Sequence, residues 1–252
     1  MLKVRIIPIL LYKNYGLVKG VNFDSWRRIG DALQFVRVYN LREVDELIFL
    51  DINASIENRT PDYELVDNLA DECFMPLTVG GGVRSIKHVR RLLMVGADKV
   101  SINTAMVKAP KIISEASTRF GSQCIVVSID FRKKENGIYE VFTHSGTISA
   151  GLDPLNLAKK AEDYGAGEIL LTSIDRDGTM SGYDLECIHR VSQAVSIPVI
   201  ASGGAGNYQH MYEALNKGKA SAIAASSIFS FTEQTPLECK QYLQDRGIPV
   251  RL

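Results

Sequence analysis

Short aliphatic and β-branched runs alternate along this chain with longer stretches whose apolar residues recur every three or four positions. The short runs fall at residues 5–10, 46–51, 77–79, 99–102, 125–129, 168–172, 199–201 and 222–225. Their length and composition predict eight β-strands. Between them, 62–73, 86–95 and 208–217 carry the helical period. Strands separated by helices predict parallel pairing through crossovers, and eight such units are the number in a (β/α)8 TIM barrel.

An internal repeat sharpens this expectation. Glu46-Leu-Ile-Phe-Leu50 matches Glu168-Ile-Leu-Leu-Thr172, and Pro76-Leu-Thr-Val-Gly80-Gly-Gly82 matches Pro198-Val-Ile-Ala-Ser202-Gly-Gly204. Positions 46 and 168, like 76 and 198, are separated by the same 122 residues. Ser101-Ile-Asn-Thr104 then meets Ala224-Ala-Ser-Ser227 after a one-residue insertion. Two (βα)4 halves joined head to tail explain the repeat, so residues 1–252 are expected to form one barrel domain.

Composition narrows the function classes. The 29 basic and 29 acidic side chains cancel, which argues against nucleic acid as a partner and against a membrane-surface role. No apolar run approaches the ~20 residues of a membrane span. The chain enters a strand pattern at once, so neither a signal peptide nor a membrane location is expected. The four cysteines and four histidines show no metal-ligand spacing. We therefore expect a cytoplasmic protein with no metal and no cofactor.

The strand ends carry the candidate chemistry. Gly80-Gly81-Gly82 and Ser202-Gly203-Gly204 follow strands three and seven; Asn103-Thr104 and Ser226-Ser227 follow strands four and eight. In a barrel these lie at the C-terminal mouth, where close backbone approach and hydroxyl or amide donors suit phosphate. Two matched clusters predict two phosphate sites on opposite sides, bridged by a ligand with a phosphate at each end. Asp51, Asp130 and Asp177-Gly178-Thr179 end or follow strands two, five and six, placing acids at the same mouth. Lys19, flanked by Gly16 and Gly20, is expected on a mobile lid after strand one. At the other end, Arg5, Glu46, Lys99 and Glu168 begin strands one, two, four and six, a ring of alternating charge that could gate the axis. One acid is missing: the fifth strand ends in Asp130, while the first ends in Leu11.

These residues resemble the HisF family, cyclase subunits of imidazole glycerol phosphate synthase. The likeness rests on Phe49-Leu-Asp-Ile, Leu77-Thr-Val-Gly-Gly-Gly-Val-Arg84, Ala97-Asp-Lys-Val-Ser-Ile-Asn103, Phe120-Gly-Ser-Gln-Cys124, Glu168-Ile-Leu-Leu-Thr-Ser-Ile-Asp-Arg-Asp-Gly-Thr179 and Ile200-Ala-Ser-Gly-Gly-Ala-Gly206. The resemblance implies a HisH-type glutaminase on the N-terminal barrel face. It also implies ammonia passing along the axis, and a bis-phosphorylated ribonucleotide at the mouth. By position, Arg5, Glu46, Lys99 and Glu168 correspond to the ammonia gate. Gly82, Asn103 and Thr104 correspond to one phosphate site; Asp177, Gly178, Gly204, Ser226 and Ser227 correspond to the other, with Ser226 where the family usually has alanine. Lys19 corresponds to the lid lysine, and Asp130 to one of two catalytic aspartates.

The second aspartate of the family stands where this chain has Leu11. The pattern Leu10-Leu-Tyr-Lys13-Asn-Tyr-Gly16-Leu-Val-Lys19 is similar to a HisF branch of surface-polysaccharide gene clusters. That likeness implies delivery of ammonia to a separate sugar amidotransferase at the C-terminal face, which turns an acetamido group into an acetamidino group. The alternative is a working cyclase of histidine biosynthesis in which Asp51, or a water held by Asp130, replaces the missing acid. A phosphosugar isomerase or lyase on the same barrel, or a purely structural subunit, is the remaining reading.

Overall fold

In the computed structural model, residues 3–14 and 16–252 are described. In chain order the elements are β1 (Arg5–Lys13), β2 (Gly16–Val21), β3 (Asp24–Gly30), α1 (Ala32–Leu41), β4 (Leu47–Asp51), α2 (Tyr63–Glu72), β5 (Leu77–Gly80) and α3 (Ile86–Met94). Next come β6 (Lys99–Ile102), α4 (Thr104–Lys108), α5 (Lys111–Phe120), β7 (Ile125–Lys133), β8 (Tyr139–Thr143), β9 (Ile148–Ser149) and α6 (Pro154–Asp163). The last are β10 (Glu168–Ser173), α7 (Leu185–Ser192), β11 (Val199–Ser202), α8 (Tyr208–Asn216), β12 (Ala222–Ala225), α9 (Ser227–Phe231) and α10 (Pro236–Gln244).

The barrel staves are β1, β4, β5, β6, β7, β10, β11 and β12. They pair in parallel in that order, and β12 against β1 completes the circle. This is the (β/α)8 TIM barrel that the alternating patterns predict. Helix starts follow the capping chemistry of the sequence: Asp62, Ser85, Asp153, Asp184 and Asn207 each accept a backbone N–H of the helix they open. Thr235 and Glu238 close a reciprocal capping box on α10.

Side chains alternate in and out along each stave. On β1, Ile6 and Leu10 pack outward into the helix-facing core, while Ile7, Ile9 and Leu11 face the axis. Ile48, Val126, Leu170, Ile200 and Ala222 join that inner cluster and fill the middle of the barrel. The axis therefore reads as a charged lower layer, an aliphatic middle and a mixed upper layer.

Two staves outrun their predicted length. β1 continues to Lys13 and turns back antiparallel as β2, with Leu11 opposite Val18 and Lys13 opposite Gly16; β7 does the same with β8. The expected mobile loop after strand one is thus a β2–β3 hairpin. Among the described residues, no helix is long and apolar enough to cross a membrane, and no group of three His, Cys, Asp or Glu side chains converges to hold a metal ion.

Candidate functional site

The upper ends of the staves surround an open-mouthed cleft. Leu11, Asp51, Gly82, Asn103, Thr104, Asp130, Asp177, Gly178, Gly204, Ser226, Ser227 and Lys19 all line it. Ring order places β5 and β6 across from β11 and β12. The two glycine-and-hydroxyl clusters therefore sit on opposite walls. Gly82 and Gly204 both have positive φ. A side chain on Gly82 would strike the Arg59 carbonyl, and one on Gly204 the Gly182 carbonyl, so both turns need glycine.

Asp130, on β7, faces the stave β1 across the barrel. Its Oδ2 accepts 2.9 Å from the Asn103 amide. Burial, aided by the nearby charge of Asp177, raises its pKa from 3.8 to about 7, near the value that suits proton transfer at neutral pH. What it faces is hydrocarbon. Leu11 is 8% exposed and packs with Ile9, Val18 and Ile48, flanked by Leu50 and Trp26.

The cleft's other carboxylates, among the described residues, are Asp51 and Asp177. Asp51 is fully engaged. Arg59 donates to both of its oxygens at 2.9 and 3.2 Å, and Oδ1 also accepts from the Asn53 and Ala54 amides. These bonds hold Asp51 to its own loop. Asp177 follows β10, beside β7 rather than across from it. It pairs with buried Lys19 at 3.3 Å, and its Oδ2 is buried without a partner.

Lys19 itself departs from expectation. It lies on β2 and is 3% exposed. The hairpin is seated on the β10 loop: the Asn22 backbone N–H donates to the Asp177 carbonyl, and its side chain donates to the Ile174 and Asp175 carbonyls. Gly178 packs against the Gly20 carbonyl. The hairpin is thus seated against the cleft, with its cation turned inward.

At the opposite end, four charges form one closed circuit. Arg5 reaches Glu46 at 2.6 Å and Glu168 at 3.0 Å; Lys99 reaches the same two at 2.9 and 3.1 Å. Thr78 adds a 2.8 Å hydrogen bond to Glu46. Burial works against the Arg5 charge, but the two carboxylates outweigh it and raise its pKa. Alternation leaves no ring charge unpaired, the condition under which such a cluster is tolerated.

A closed barrel with this ring below and this mouth above invites comparison with known proteins. A family model described as histidine biosynthesis protein matches residues 5–233. Imidazole glycerol phosphate synthase subunit HisF of Chlorobium limicola (strain DSM 245 / NBRC 103803 / 6330) is 51% identical over 252 residues, spanning 100% of each chain. The chain belongs to the HisF family.

In this HisF-type chain the sequence brings nearly every predicted site residue to one of the two barrel ends. What sequence reasoning misses are the partners. Asn103 bonds Asp130 rather than capping α4. Arg59 occupies Asp51. The hydroxyls of Ser101, Ser128, Thr172 and Ser202 add polar groups to the cleft floor. Their inward parity on the staves was a readable signal. Arg59 gave none, because it acts from an irregular loop.

Proposed function

We propose that this chain is the synthase-type subunit of a glutamine amidotransferase. In this reading it receives ammonia from a HisH-type glutaminase at its N-terminal face and releases it at the mouth without closing an imidazole ring. The carrying observation is one of contrast: the charge ring of Arg5, Glu46, Lys99 and Glu168 is complete, while the wall opposite Asp130 is Leu11. The aliphatic middle of the barrel suits a small uncharged nucleophile, because excluding water prevents proton leakage to it. With every ring charge paired, passage requires one side chain to swing aside. Lys99, with two partners and a flexible stem, suits that role.

Asp130 in this scheme retains one half of the proton handling that ring closure uses. Ring closure would need an acid as well, and leucine supplies none; such assistance is worth roughly 10²–10⁴-fold. The two walls keep residues suited to phosphate: Gly82, Asn103 and Thr104 on one side, Gly178, Gly204, Ser226 and Ser227 on the other. The buried Ser227 hydroxyl, which has no partner, supports the second site. Lys19, released from Asp177, would neutralise a phosphate there. By the resemblance of the first strand, the consumer of ammonia is a cytoplasmic sugar amidotransferase docked at the C-terminal face.

A second reading, a histidine-pathway cyclase, is favoured by full-length likeness to a relative named for imidazole glycerol phosphate synthase. Turnover of the bis-phosphorylated ribonucleotide with ammonium salts separates the two. The proposal expects no ring closure by the unaltered chain, together with Lys99-dependent coupling to a glutaminase. Ring closure at an ordinary enzymatic rate would favour the cyclase.

A further inference from the structure

We infer that Lys240, far from the mouth and outside the charge ring, is the positioning residue that holds the ring in register. This rests on the reading of the ring as an ammonia inlet, although its geometry stands independently. Lys240 lies on α10 and is 2% exposed, an unusual burial for an ammonium group. Its Nζ donates 2.9 Å to Asp45 Oδ1 and 3.0 Å to the Glu43 carbonyl. The other oxygen of Asp45 accepts from the Ile6 backbone N–H at 2.9 Å.

Asp45 precedes Glu46, and Ile6 follows Arg5. One buried ion pair therefore fixes the backbones of the two residues whose side chains meet at 2.6 Å in the ring. A second attachment acts on the other side of Arg5: the Val4 N–H donates 2.7 Å to the Pro249 carbonyl, and Val4 bridges to Val250. The turn being clamped needs an anchor. Glu43 sits at φ 47°, a left-handed conformation that disfavours a non-glycine residue. The chain's last helix thus bolts the 43–46 turn to the first stave, and the ring inherits that registration.

The test is hydrogen exchange, followed by mass spectrometry, on Lys240→Met, Lys240→Arg and Asp45→Asn in the full chain. The clamp predicts that Lys240→Met speeds exchange about tenfold or more in peptides covering 3–9 and 43–50, with peptides of β10–β12 unchanged. Lys240→Arg should restore much of the protection. Asp45→Asn, which keeps an acceptor for Ile6, should fold even if Lys240→Met does not, and should show the same local acceleration. Uniform acceleration across the barrel, or none near Arg5 and Glu46, would overturn the assignment. A Lys99→Met variant measured for glutamine-to-ammonia coupling tests the inlet separately. Unchanged coupling there removes the inlet, whatever the exchange shows about the clamp.

Discussion

Leu11 and Asp130 form the pair on which the proposed chemistry turns. Opposed acids push each other's pKa apart; here burial and the charge of Asp177 raise Asp130 to about 7 instead. Between its ordinary value of 3.8 and that point, the folded protein holds a proton that the unfolded chain has lost. Stability from this site is therefore present in acid and is lost as pH rises through about 7. Asp130→Asn should flatten that fall, leaving the variant more stable than its parent above neutrality. Urea titrations across the range check this, and parallel curves would contradict the raised value. Leu11→Asp should put a second carboxylate into an aliphatic wall and cost about 1–3 kcal/mol of stability, read from the urea midpoint. The missing acid was legible as a single letter in the sequence. The occupation of Asp51 was not, because it depends on a loop arginine eight residues away folding back.

The hairpin of β2 and β3 is the element the sequence disguises. Glycines at 16 and 20 suggest a loop, yet they allow close packing: a side chain on Gly20 would meet the Asp24 carbonyl and Trp26, and one on Gly16 would meet Arg28. Lys19 pairs with Asp177 out of solvent, so Lys19→Met would leave a buried carboxylate beside Asp130 and should cost about 3–5 kcal/mol, seen as a drop in thermal midpoint. Gly178, at φ 76° and seated against the Gly20 carbonyl, is where the hairpin docks. Gly178→Ala should unseat it with the barrel intact. The chain's single tryptophan, Trp26, lies on the hairpin at the cleft, so its emission should shift to the red while far-ultraviolet dichroism is unchanged. An unshifted spectrum would mean the hairpin does not rely on that contact.

At the scale of the whole molecule, the barrel, its half-repeat and the polar residues at its two ends follow from period, parity and spacing. Residues at strand starts and strand ends needed no other information. Extensions and clamps did, because they depend on contacts between segments far apart in the chain: β2 against the β10 loop, and α10 against the 43–46 turn. The barrel is charged and closed below, aliphatic within, and open above to a cleft in which Asp130 faces the Leu11 stave. On the proposed function, nitrogen is received and passed on while ring closure has been lost. The most direct measurement is formation of imidazole glycerol phosphate by the purified chain and by Leu11→Asp, each given the ribonucleotide and an ammonium salt. The account predicts no closure by the unaltered chain and a rise of about 10²-fold or more above that background in the variant. Efficient closure by the unaltered chain, with Leu11→Asp no faster, would contradict it.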